Sequence, residues 1–190
     1  MSDEKRIPVT VYAEMTPNPS TMKFVANKVI IFDGDTAEYN SYESTLGSSV
    51  LAEELFKFPF VTGVFIARNF ITITKNERIK WEYVNSEIRT FITNYLSTNE
   101  KAITKLPEPI VIEGEEGKEI VNAIPVINSD TDKTIVDLLE EYVRPAVEGD
   151  GGAIDFKSFD EETGVVTVIM KGACSGCPSS TATLKGGIES

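Results

Sequence analysis

Hydrophobic and polar positions along the chain fall into two periodic stretches separated by one that sustains no period. From Ile7 to Glu14, Val9, Val11 and Ala13 alternate with their neighbours at the two-residue period of a strand. Thr16-Pro-Asn-Pro-Ser-Thr21 then predicts a turn, because two prolines and an asparagine punctuate the backbone. A second strand is expected from about Lys23 to Phe32. Between Ser48 and Lys57, Val50, Leu51, Leu55 and Phe58 share one side of a short helix that Pro59 ends. Phe60 to Lys75 predicts a β-hairpin closed by Arg68-Asn69. From about Lys80 to Ser97, Trp81, Val84, Ile88, Phe91, Ile92, Tyr95 and Leu96 recur at helical spacing, and the three aromatic residues are expected in the core.

Residues 98–130 change character. Pro107, Pro109 and Pro125, with Glu113-Gly-Glu-Glu-Gly117, interrupt any long period, so this stretch reads as a linker with a short extended piece at Ile110–Ile112. Periodicity returns with Ile135, Leu138, Leu139, Tyr142, Val143, Ala146 and Val147, a helix that Ser129 or Asp132 can cap. Pro145 within it predicts a kink or an early stop. Gly149-Asp-Gly-Gly152 makes a sharp exit, and Ala153–Phe159 and Val165–Met170 read as two strands. Lys171-Gly-Ala-Cys-Ser-Gly-Cys-Pro-Ser-Ser180 follows, and then the start of a helix. The fold class expected is α+β: two small α+β domains, residues 7–97 and 131–190, joined by an acidic, proline-containing linker.

Charge divides the same way. Of the net −12, residues 1–106 hold 13 acids against 12 bases, residues 107–129 hold 5 against 1, and residues 130–190 hold 12 against 5. A chain this acidic, with no basic stripe, is not expected to bind nucleic acid or an anionic membrane. Its first six residues are too short and too acidic for a targeting peptide. Two cysteines that would close only a tiny loop make a poor structural staple, so a reducing, cytoplasmic setting is expected.

The 190 residues contain no histidine, which removes imidazole bases, Cys-His pairs and His-ligated metals. Any covalent or soft-metal chemistry falls to Cys174 and Cys177. They sit where a strand gives way to a helix. Gly172 and Gly176 allow close backbone approach there, Pro178 suits a first helical turn, and unpaired amides favour thiolate or an anionic cluster. Thiol–disulfide exchange is one use of such a pair, but the thirteen residues after Cys177 leave no room for the rest of a thioredoxin fold. A metal is another. Two thiolates are half the ligand set of zinc or of an iron–sulfur cluster, so the arithmetic points to a centre shared across a homodimer, without deciding between those metals. Glu148, Asp150 and Asp155 are expected in a solvated turn, since they lack calcium-loop spacing. Lys171 and Lys185 are expected to be exposed, although they could offset cluster charge.

These residues resemble a known family. Arg144-Pro145, Glu148-Gly-Asp-Gly-Gly152, Gly172-Ala-Cys-Ser-Gly-Cys-Pro-Ser-Ser180 and Thr183-Leu-Lys-Gly-Gly-Ile188 are similar to the C-terminal domain of the NifU-like (Nfu) iron–sulfur proteins. Thr16–Phe24 and Val64–Thr74 resemble the Nfu N-terminal domain. The resemblance implies a carrier, not an enzyme. It would hold a [4Fe–4S] cluster between two chains through Cys174 and Cys177 of each, and deliver it to apo iron–sulfur proteins as part of the cluster assembly machinery. A [2Fe–2S] cluster or zinc is the alternative cargo. Thiol–disulfide oxidoreductase activity is the alternative function, and a zinc-bridged structural dimer the third. The resemblance also implies that the helix after the cysteines continues past Ser190.

Overall fold

The computed structural model describes residues 8–32, 35–99, 101–107, 110–114, 117–121, 127 and 129–175. The chain forms two compact units, Met1–Pro107 and Glu108–Ser190, each an assembly of helices and antiparallel strands.

Unit 1 is built on a five-stranded sheet of β1 (Val11–Met15), β2 (Thr21–Ala26), β3 (Thr36–Tyr39), β4 (Val61–Ala67) and β5 (Phe70–Lys75), in the order β1-β2-β5-β4-β3. All neighbours are antiparallel, and the central β4–β5 pair is the hairpin expected at Arg68-Asn69, where Arg68 takes φ 24. β2 stops at Ala26, six residues before the pattern suggested. The Asn27 side chain accepts from the Thr10 amide, and the Ile30 and Ile31 amides donate to the Arg68 carbonyl, so the apolar residues after Ala26 serve a loop over the hairpin. β3 was not anticipated, because four residues carry too little period.

Among its described residues, two α-helices join this sheet. α1 (Val50–Leu55) begins at Ser49, whose hydroxyl accepts from the Ala52 amide at 3.1 Å and donates to the Ala102 carbonyl at 2.7 Å. α2 (Trp81–Thr98) buries Val84, Ile88, Ile92 and Leu96 in the core that also holds Phe24, Ile71 and Ile73 of the sheet. Each such side chain contributes about 1.5–3 kcal/mol on leaving water. Trp81, Phe91 and Tyr95 pack only at the margin of this core.

Among its described residues unit 2 holds two antiparallel pairs. β6 (Ile110–Gly114) pairs with β7 (Gly117–Val121) inside the stretch read as linker, a hairpin where only Ile110–Ile112 was expected to be extended. α3 (Asp130–Leu138) starts at Ser129, whose hydroxyl accepts from the Asp132 amide at 3.1 Å. The helical path then widens into a π-turn, Leu139–Val143, and resumes as α4 (Arg144–Gly149). Pro145 therefore neither stops the helix nor sits mid-helix. It occupies the first turn of α4, and the wider turn, with the Arg144 amide donating to Leu139 five residues back, absorbs the missing donor. β8 (Gly152–Asp160) and β9 (Val165–Gly172) form a long hairpin. Leu139, Val143, Val147, Ile154 and Phe156 make the core of this unit.

Candidate functional site

Cys174 lies just beyond the open end of the β8–β9 hairpin. Gly172, the last residue of β9, has φ 66, a left-handed conformation that β-branched or bulky residues rarely tolerate, and it turns the chain back on itself. The Ala173 amide donates to the Gly151 carbonyl at 3.2 Å and the Ser175 amide to Gly172 at 3.1 Å, closing a tight turn. That turn drives Cys174 inward. The residue is 4% exposed and joins the core of unit 2, with Sγ 3.9 Å from the Val147 carbonyl oxygen of α4.

Space for the sulfur exists because residue 152 is glycine. A Cβ there would stand 2.5 Å from the Lys171 carbonyl oxygen and 2.7 Å from Cys174 Sγ. Gly151, with φ 84, supplies the preceding bend. The run Gly149–Gly152, read from sequence as a sharp exit and as part of the family motif, is thus part of the cysteine's seat. Gly176, Cys177 and Pro178 lie outside the described residues, so of the two expected ligands the structure places one. Among the described residues no group of three or more Cys, Asp, Glu or His is arranged to hold a metal.

A charge network adjoins this turn. Lys171, three residues before Cys174, is 7% exposed rather than solvated, and its Nζ lies 2.5 Å from Asp155 Oδ2 on β8. Asp155 Oδ1 faces Arg144 Nη2 of α4 at 3.6 Å, and Arg144 is also held by Glu140 one turn earlier in the helix. Asp155 is therefore not part of a solvated turn, and the lysine expected at the surface is buried. Burial works against the Arg144 charge, but the Glu140 hydrogen bonds and the Asp155 and Glu148 carboxylates outweigh it and leave the guanidinium more basic than usual. Nothing in composition marked these residues. The register did, because Lys171 opposes Ala153 and so lies diagonally across from Asp155.

The Thr16–Phe24 motif of unit 1 resolves into local hydrogen bonds. Thr16 Oγ1 meets the Asn18 carbonyl at 2.9 Å and Thr21 Oγ1 at 2.5 Å, and the Asn18 side chain accepts from the Ser20 amide at 3.0 Å. Trp81 Nε1 donates to the Pro19 carbonyl at 3.2 Å, tying this turn to the start of α2. It forms a turn, as its prolines suggest.

Comparison with known proteins agrees with this division. The family model "Scaffold protein Nfu/NifU N terminal" matches residues 11–99, and the "NifU-like domain" model matches residues 135–190. "NifU-like protein 4, mitochondrial" of Arabidopsis thaliana is 36% identical over 94% of this chain and 60% of that protein. "NFU1 iron-sulfur cluster scaffold homolog, mitochondrial" of Drosophila simulans is 34% identical over 98% of this chain and 63% of that one. "NifU-like protein C1709.19c" of Schizosaccharomyces pombe is 30% identical over 95% and 66%. The chain thus spans about three fifths to two thirds of these relatives' length. The Arabidopsis and Drosophila names overturn the cytoplasmic setting expected from the cysteine count. Reduced thiols report a redox condition, not an address, and more than one compartment supplies that condition. Chance likeness to one small domain would not give both models, in this order, with relatives aligned along nearly the whole chain; the chain belongs to the NifU-like (Nfu) family.

Proposed function

We propose that this chain carries an iron–sulfur cluster as cargo, a [4Fe–4S] cluster held between two copies by Cys174 and Cys177 of each, and passes it to apo iron–sulfur proteins. The observation that carries the reading is the seat of Cys174: a glycine-shaped turn at the end of a strand, in a NifU-like domain, in a chain with two thiols and no imidazole. Four thiolates complete a cluster's ligand set, and two chains supply four. The mitochondrial names of the relatives support a mitochondrial place of action.

Delivery in this reading is ligand exchange without redox change. A recipient thiolate bonds to iron as one carrier thiolate leaves. The proton lost by the recipient's thiol ends on the departing sulfur. A ligand set split across two chains suits such stepwise release. At 4% exposure, Cys174 meets a cluster shared with a second chain only when its turn opens, so loading couples to movement of residues 172–175. The same burial weighs against thiol–disulfide exchange, whose attacking thiolate must be accessible.

Anaerobic reconstitution with iron and sulfide tests the proposal. A brown chromophore absorbing in the visible, lost in Cys174→Ser and in Cys177→Ser, is the expected result. A colourless protein that reduces insulin, or one that retains tightly bound zinc, would overturn it.

A further inference from the structure

We infer that Asp155 is the positioning residue of the cysteine turn, acting through Arg144 and Lys171. Its two carboxylate oxygens hold one cation each, Lys171 at 2.5 Å and Arg144 at 3.6 Å. Those cations belong to the two segments that also meet at the cysteine. Arg144 opens α4, and Val147 of the same helix offers its carbonyl to Cys174 Sγ at 3.9 Å. Lys171 stands three residues before Cys174, on the other side of the Gly172 bend. The contacts close a ring: Arg144 to Val147 along the helix, Val147 to Cys174 through the sulfur, Cys174 back to Lys171 along the turn, and Lys171 to Arg144 through Asp155.

The Ala173–Gly151 backbone hydrogen bond ties the turn to the end of α4, and the ion bridge, tight at Lys171 and longer at Arg144, adds the side-chain link between helix and strand. The side chains of Arg144 and Lys171 are 18% and 8% exposed, and removing the carboxylate between them leaves two sheltered charges with less compensation. Helix and strand would then part locally, releasing the turn before the rest of unit 2 unfolds. The purpose of this restraint, keeping Cys174 sheltered until a cluster is loaded, rests on the function proposed above. The restraint itself does not.

The test uses the full chain, metal-free and reduced, and reads the rate at which iodoacetamide alkylates Cys174, distinguished from Cys177 by fragment ions of the peptide that holds both. Asp155→Asn and Lys171→Met are each expected to speed Cys174 alkylation roughly tenfold, with the double variant no faster than either alone. Lys171→Arg should stay near the parent rate. Val143→Ala trims the core that also receives Cys174 but removes none of the three charges, and so separates loss of the ion bridge from loss of packing. At a matched unfolding midpoint it should expose Cys174 less than Asp155→Asn does. Equal rates in those two variants, multiplicative effects in the double variant, or an unchanged rate in Asp155→Asn would overturn the inference. If Asp155→Asn loses cooperative unfolding of unit 2, Lys171→Arg against Lys171→Gln makes the same comparison. Because the readout needs no iron, it decides the inference even if the chain proves to take up no cluster.

Discussion

At the scale of single residues, the site depends on an absence. Gly152→Ala adds one methyl group where a backbone oxygen and the cysteine sulfur already stand within 3 Å. The oxygen belongs to a paired strand and cannot turn aside, so the variant should lose about 1–3 kcal/mol from unit 2 in chemical denaturation. It should also displace Cys174, read as faster thiol alkylation. In unit 1, burial pushes the Tyr39 phenol above its ordinary 10.0, more than the Ser48 and Ser49 hydroxyls lower it. A raised phenol favours the neutral form in the fold. Its stabilisation is therefore complete below pH 10 and is lost as pH rises through the folded value. Tyr39→Phe should flatten that alkaline loss in a pH series of unfolding midpoints, and an unchanged slope would count against it.

These residues also show what the sequence could tell. Cys174 was legible because a cysteine pair between glycines at a strand end has few uses. Lys171 and Asp155 were not, because a lone charge carries no sign of its burial. Their partnership follows from cross-strand register, and the β-bulge between Phe156 and Ser158 makes register hard to count from the strand's far end.

At the scale of elements, long periodic segments were read well and short ones poorly. α2 matches its apolar spacing to within a residue at each end, because eighteen residues repeat one face several times. β3 and the β6–β7 hairpin, with four- and five-residue strands, offer too few repeats, and acidic glycine-rich sequence masked the hairpin. Pro145 does not end the helical path, for a local reason. Proline forbids a continuous α-helical ladder, but a π-turn before it satisfies the same geometry. Capping was legible wherever serine stood before an apolar run. Ser49 both caps α1 and binds the Ala102 carbonyl while 1% exposed, so Ser49→Ala should lower the stability of unit 1 by about 1–2 kcal/mol. Unit 2 should unfold as before, which two separate transitions in calorimetry would reveal.

At the scale of the molecule, the two units divide the charge and the cysteines unequally. Residues 1–106 are nearly neutral and carry no cysteine, while both thiols and most of the net negative charge lie beyond them. A chain reduced to residues 108–190 should therefore still assemble a cluster, and should deliver it less well to at least some recipients. Equal transfer rates to every recipient tried would contradict a part for unit 1 in delivery. The most direct test of the account is native mass together with iron content after anaerobic reconstitution of the full chain. The prediction is a dimer with about four irons per two chains, reverting to monomer mass when either Cys174 or Cys177 is serine. Iron retained by a monomer, or a dimer that forms equally well without either cysteine, would contradict the claim that two half-sites make the functional one.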